Sequence, residues 1–373
     1  MILHLVIGPT DHGVVRFARR VGELANGVVL TLGRADQADA ARLAGPVRSA
    51  TAVHLQYTDA LYAQHTTDAA TAFVHLRHRI AAIGSTSRST SGRSNPVPVS
   101  VTMHDLPDPD DEPGRYRRRA LSYARVAEAV DAVVLSSDHE LARLRHLLPS
   151  ARPGSPGPGT EPRLQVIPLP IEAPRIVAKP DRPTPRPEVA VFGFIFPGKG
   201  HEDVISAMPG LPPEVLFTAL GRPADGHESM RAALAATADR SNRRMKITGF
   251  VADGRLDETL QRIAVPVVPA RRISASGSIN SWIAAGRRPL VADGPYPREF
   301  AQRYPGAIQL YRPGQLPALI RTVLADPGTS WLAATPPPEL TAPAVAGAYR
   351  AFITDITGAA GIQGIAGVSE VRA

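Results

Sequence analysis

Apolar residues recur along this chain in two rhythms. Short runs rich in β-branched residues, "ILHLVIG", "VVLTLG", "AVHLQY", "VPVSVTM", "AVVLSS" and "LQVIPL", read as strands. Between them the apolar positions fall at three- and four-residue spacing, as in "GVVRFARRVGELA" and "RYRRRALSYARVAEAV", which predicts amphipathic helices. That alternation is the mark of βαβ units, whose crossover helices make neighbouring strands parallel. Two Pro/Gly-rich stretches break it, "PSARPGSPGPGTEP" at 149–162 and "EAPRIVAKPDRPTPRPE" at 172–188, where proline disfavours helix interior and central strand alike. A second series follows: "EVAVFGFI", "EVLFTALG", "MKITGF", "VPVVPA", "RPLVAD" and "AIQLY".

The expectation is an α/β protein of two Rossmann-like domains with parallel sheets. The first spans 1–171, a linker covers 172–188, and the second spans 189–335. A last helix near 340–358 is expected to pack back on the first domain, and the low-complexity stretch "GSTSRSTSGRSNP" at 84–96 reads as a mobile loop. In open parallel sheets ligands bind beyond the carboxyl ends of the strands, so two facing sheets would share one interdomain cleft.

Composition narrows the function classes. At 373 residues the chain is long for a single core, and 43% apolar with 20% charged residues is ordinary for a soluble globular protein. No apolar run approaches the ~18 residues of a membrane span. "MILHLVIGPTDHG" has no basic leader and reads as a first strand, so a cytoplasmic location is expected. With no cysteine, disulfides, thiolate catalysis and Cys-ligated metals are excluded, and the 11 histidines form no H-E-x-x-H or comparable pair, so no metal is expected. The net charge of +8 comes almost wholly from arginine, since Lys179, Lys199 and Lys246 are the only lysines. No aromatic-interleaved basic stripe or recognition motif accompanies it, so nucleic acid is not an expected partner.

The most informative stretch is "VFGFIFPGKGHEDVISAM" at 191–208, where a strand ends, passes through Gly198-Lys199-Gly200 and restarts as a helix with acids in its first turn. The P-loop pattern G-x-x-x-x-G-K-[ST] fails there, because Gly200 stands where Ser or Thr is required. Glycines at Gly193 and Gly198 permit close backbone approach, and Ser276-Gly277-Ser278, after the strand "VPVVPA", opens another helix whose N–H groups suit an anion. Blander readings stand beside these: Lys199 as a solvated first-turn lysine, the serines as a helix cap, His104 as a polar residue beside Asp105.

In order along the chain, several segments resemble the retaining GT-B glycosyltransferases of family 4. "FGFIFPGKGHEDVISAM" is similar to the start of that family's C-terminal domain, and "KITGFVADGRLDETLQ" to the segment beside the nucleotide base. "VPVVPARRISASGSINSWIAAGRRPLVADGPYPREF" at 265–300 is similar to its donor-phosphate loop. "AVHLQYTDALY" and "VPVSVTMHDLP" resemble strand-end motifs on the acceptor side.

The resemblance implies a GT-B fold and a hexosyltransferase-type enzyme that moves a sugar from a nucleotide-diphosphate donor with retention. It needs no metal and no cofactor beyond that co-substrate. Lys199 and His104 are the implied catalytic residues: the lysine on the leaving diphosphate, the histidine on the transferred sugar. Gly13, Gly193, Ser276, Gly277 and Ser278 would hold the diphosphate, and Gly249, Phe250 and Ser281 the nucleotide. Tyr57 and Asp59 are candidates for the acceptor side. The acceptor is a glycan, lipid or small molecule, and the basic stretch "RYRRRALSYAR" at 115–125 suits peripheral contact with the inner face of a membrane.

Three positions depart from the family. Where it carries a basic residue this chain has Phe194, and where it carries two glutamates, one on the donor sugar and one on the ribose, this chain has Ile273 and Ser281. Arg222, Arg271 or Arg272 are candidates for the missing charge. The departures leave open a non-catalytic nucleotide-sugar-binding or scaffold member of the same fold. An epimerase on this architecture would need cleft carboxylates as acid and base, and no motif assembles them.

Overall fold

The computed structural model describes residues 1–85, 97–148, 162–174, 185–333 and 335–366. Most of the loop read at 84–96, the break read at 149–162 and the middle of the linker read at 172–188 lie outside the described residues. The chain divides into two compact units, one of residues 1–168 with 342–373, the other of Leu169–Thr341.

In the first unit the elements run β1 (Ile2–Ile7), α1 (Gly13–Leu24), β2 (Val28–Leu32), α2 (Ala40–Ser49), β3 (Ala52–Tyr57), α3 (Asp59–Tyr62), α4 (Thr66–Ser85), β4 (Val99–Met103), α5 (Pro113–Glu128), β5 (Ala132–Leu135), α6 (Asp138–Leu147) and β6 (Arg163–Val166). The six strands pair in parallel in the order β2-β1-β3-β4-β5-β6. Period-two alternation splits their side chains into two faces. Leu3, Leu5, Ile7, Val53, Leu55, Tyr57, Val99, Val101 and Met103 enter one apolar core. The other face is polar along its centre: His54 Nδ1 meets Ser100 Oγ at 2.8 Å and Nε2 meets Thr102 Oγ1 at 3.0 Å. Burial holds the His54 imidazole well below its ordinary pKa, so it stays neutral at pH 7.

The second unit continues with β7 (Arg186–Phe192), α7 (His201–Ser206), β8 (Leu216–Leu220), α8 (Met230–Arg240), β9 (Met245–Ile247), α9 (Asp253–Gln261), β10 (Ile263–Val268), α10 (Gly277–Ala284), β11 (Leu290–Ala292), α11 (Pro295–Arg303), β12 (Gln309–Tyr311) and α12 (Leu316–Ala325). Its sheet order, β12-β11-β10-β7-β8-β9, is that of a dinucleotide-binding Rossmann domain. Pro266 lies in β10 between two neighbours, and the β7–β10 register shifts just before it, between Ile263 and Val265. An irregular ladder is where a central strand tolerates a residue without an N–H.

The final helix, α13 (Ala342–Ala366), belongs to the first unit. Val345, Tyr349, Phe352, Ile353 and Ile356 pack with Ala52, Ala132 and Val134 on the polar-centred face, and Tyr349 Oη lies 3.0 Å from Thr102 Oγ1. The first unit ends earlier than the sequence suggests, at Pro168. Ile171 is buried in the second unit, its N–H donating to Leu340 O, while the Pro170 carbonyl accepts from Asn280 Nδ2. The second unit correspondingly runs to Thr341 rather than 335. Among the described residues no helix is long and apolar enough to cross a membrane.

Candidate functional site

Strand order reverses direction at β7/β10 in the second unit, so the loops after these two strands leave the sheet on opposite sides. The β7 loop turns on glycines in the left-handed region, Gly193 (φ 114°), Gly198 (φ 88°) and Gly200 (φ 87°). Lys199 folds back over the first of these: a Cβ on Gly193 would stand in ordinary contact with Nζ, 3.4 Å away, so it is the φ of 114° rather than space that calls for glycine there. Lys199 is half-buried, and among the described residues its ammonium has no hydrogen-bond or ion-pair partner. Burial pushes its pKa down to about 8. His201, at the first position of α7, is fully buried, and burial followed by the charge of Lys199 lowers its pKa to about 3. It is therefore neutral and leaves Lys199 as the cation of this turn.

Across the switch point, Ser276 caps α10, its Oγ accepting from Ile279 N at 3.2 Å. Ser278 Oγ donates to Phe192 O at 2.9 Å, which ties the helix start to the end of β7. The N–H groups of Gly277 and Ser278 belong to a first helical turn, have no partner within the helix and carry its positive end. A Cβ on Gly277 would meet nothing within 4 Å, so the approach to them is open. A half-buried ammonium and a helix N-terminus thus lie on the two sides of one switch point, an arrangement suited to an anion.

The remaining second-unit positions divide. Gly249 (φ 72°) lies just past β9 with open space above it, and the neighbouring Phe250 is 69% exposed. A cavity of about 390 Å³ opens beside Phe250 and runs under α9, with Thr248, Val251, Arg255, Lys246 and Glu188 in its wall. Ser281 Oγ donates to Gly277 O at 2.9 Å, so its hydroxyl is engaged within α10. Ile273 packs against the second unit's apolar cluster. Arg271 pairs with Asp203 at 3.5 Å, Arg272 is exposed and interacts elsewhere, and Arg222 lies over the Phe194 ring.

In the first unit the corresponding switch point lies between β1 and β3. His104, just past β4, is buried, its Nε2 2.7 Å from Gln56 Oε1 and its carbonyl accepting from Tyr123 Oη. Burial lowers its pKa to about 4, against the opposing pull of Asp105. Asp105 adopts φ 53°, unusual for a residue other than glycine, and accepts from Thr58 Oγ1 at 3.1 Å. Gly13 begins α1 with open space at its Cα, while His12 before it caps the helix by accepting from Val14 N at 3.2 Å. Tyr57 lies inside the apolar core among Tyr62, Phe73 and Tyr123, with no surface to offer an acceptor. Asp59 is occupied by Arg119, 3.1 Å away. The basic stretch at 115–125 lies in α5, where Arg115, Arg117, Arg118, Leu121 and Arg125 are exposed but Arg119 turns inward to Asp59 and Asp111.

Three residues of this rim were not singled out from sequence. His12 stood within the quoted "GPTDHG". Gln56 was legible as the last polar residue of an alternating strand. Arg119 carried no signal, since one arginine in an arginine-rich helix does not announce which way it points. Among the described residues no group of three or more His, Asp or Glu side chains is arranged to hold a metal ion.

No protein-family model and no curated protein matches the chain. Solved structures do. Alr3699/HepE of Anabaena, in complex with UDP and glucose, aligns over 99% of each chain at 15% identity with a TM-score of 0.61. Sucrose-phosphate synthase from Thermosynechococcus elongatus aligns over 97% of this chain and 98% of its own at 15% identity, TM-score 0.57. The lipopolysaccharide outer core galactosyltransferase WaaB aligns over 95% and 99% at 10% identity, TM-score 0.56. The chain therefore has the GT-B fold, two Rossmann-like units each built on a parallel six-stranded sheet.

Proposed function

We propose that the chain is a glycosyltransferase of hexosyl type, moving a sugar from a nucleoside-diphosphate donor to an acceptor hydroxyl with retention and without a metal. The observation that carries this reading is the Lys199 ammonium, without a partner among the described residues, over Gly193 and across the β7/β10 switch point from the open N-terminus of α10. As the glycosidic bond breaks, negative charge grows on the leaving diphosphate. An ammonium and a helix end already in place stabilise it most in the transition state, and do so without reorganising. His104 contacts the transferred sugar, and because its buried ring is neutral it leaves the charge on the diphosphate to Lys199. In front-face displacement the leaving phosphate takes the acceptor hydroxyl's proton, so no strong enzymic base is required.

The ligands bound in structural neighbours, UDP with glucose in one complex and UDP-glucose in another, support a sugar nucleotide as donor. The acceptor in this reading is a glycan, a lipid or a small molecule. The enzyme works in the cytoplasm, with exposed arginines of α5 against anionic lipid, which sedimentation with phosphatidylglycerol vesicles would test. The central experiment is incubation with UDP-, GDP- and ADP-sugars. Release of nucleoside diphosphate that survives a chelator, with product anomeric configuration matching the donor by NMR, is the expected result. Binding without any release over a range of acceptors would favour a non-catalytic role, inversion would remove the front-face step, and abolition by chelator would remove the metal-free scheme.

A further inference from the structure

The position after Gly193 holds a phenylalanine, not a cation, and the structure shows what that ring carries. Past their last paired residues, β7 and β8 stay zipped together: Gly193 N donates to Leu220 O at 3.0 Å, Ile195 N to Arg222 O at 2.9 Å, and Ala224 N to Ile195 O at 2.9 Å. The approach is so close that a Cβ on Gly221 would come within 2.0 Å of Gly193 O, so only glycine fits there. This clamp sets segment 193–195 beside 221–223. It puts the Arg222 guanidinium over the Phe194 ring, 5.0 Å from the ring centroid. Phe194 is 43% exposed, so its ring is open to a side chain from the neighbouring segment.

We infer that Arg222, seated on Phe194, supplies the second positive charge of the diphosphate site that Lys199 marks; this rests on the donor-site reading above. The chemistry fits. A guanidinium stacks on an aromatic face and still presents its N–H edge, which matches phosphate oxygens two at a time. Its Nη1 donates to Pro223 O at 3.2 Å, a bond that can stay in place when phosphate binds, and one ionic partner, the neighbouring Asp225, is 89% exposed, a screened pair that exchanges readily for a better anion. Phe194 itself touches no phosphate; it is a positioning residue that aims Arg222. The charge lost at position 194 is thereby recovered from a different strand, 28 positions along the chain.

The experiment is calorimetric titration of the full chain with UDP and GDP at several salt concentrations, in wild type and four variants. Arg222→Ala is expected to weaken the binding diphosphate about 10- to 100-fold and to flatten its salt dependence, as loss of one charge-assisted contact does. Its thermal unfolding should match wild type. Phe194→Ala should weaken binding several-fold, and Phe194→Trp should retain it. Phe194→Arg combined with Arg222→Ala should recover most of the loss, which a merely structural role for Arg222 would not allow. Wild-type binding with Arg222→Ala unchanged, or no recovery in the double variant, overturns this inference alone. A wild type that binds neither diphosphate overturns the donor-site reading and this inference with it.

Discussion

Replacing Lys199 by methionine should make the second unit more stable and the enzyme far slower. The ammonium sits in a half-buried place with no counter-ion among the described residues, and burial lowers its pKa from 10.5 to about 8. At ~1.4 kcal/mol per unit this corresponds to roughly 3 kcal/mol against the charged form at pH 7, and solvent reaching the half-buried amine reduces it to about 1–3 kcal/mol. The sign follows from linkage. A lysine whose folded pKa lies below its unfolded value costs stability in full below pH 8, and the cost fades as pH rises from 8 toward 10.5. Lys199→Met removes the cost, so the second unit's unfolding transition should rise by several degrees at pH 7, at ~2–4 °C per kcal/mol. At pH 10 the gain should shrink. Turnover should meanwhile fall about 10²–10³-fold, the usual effect of removing one preorganised transition-state charge. In the wild type, kcat/KM should decline on the alkaline side near pH 8, because it reports the free enzyme, with the kcat limb displaced upward once a diphosphate sits beside the ammonium. Calorimetric unfolding at pH 7 and 10, with steady-state rates across pH 6–10, measures all of this. A variant that melts below wild type would mean the ammonium already makes a stabilising contact. Unchanged turnover in a folded variant would remove Lys199 from the chemistry.

Arg287 is 0% exposed and satisfied by carbonyl oxygens: Ser330 O at 3.1 Å, Ala264 O at 3.1 Å and Gln261 O, with Ser330 Oγ at 2.6 Å and the Trp331 ring beneath it. Arg287→Met should cost the second unit about 3–5 kcal/mol by orphaning those acceptors, read from urea unfolding, whereas a loss under 1 kcal/mol would mean the carbonyls find water. Tyr349→Phe should cost the first unit about 1 kcal/mol, the worth of its bond to Thr102, with turnover unchanged; a larger loss would point to a wider rearrangement of the His54 network.

How much of this was legible in the chain depends on the range of the physics involved. Strands and helices were, because period-two and period-3.6 alternation and glycine–proline punctuation are written within a dozen residues; each of the twelve strands among the described residues lies on a run read as one. The junction Gly193–Lys199 was also legible, since strand end, turn and helix start are local. The boundary at Pro168 was not: Ile171 belongs to the second unit because a strand of contacts with Leu340 and Thr341 holds it there, 170 positions away. Nor was the fate of Tyr57 and Asp59. Both follow the pattern of a functional strand end, yet one faces the apolar side of β3 and the other meets an arginine from α5, choices made by sheet order and helix packing. Phe194 shows the division most clearly. By itself it is a missing charge, and only the clamp between β7 and β8 brings Arg222 onto it, because alternation states where each strand lies along the chain but not which strands pair or which side chains meet across them.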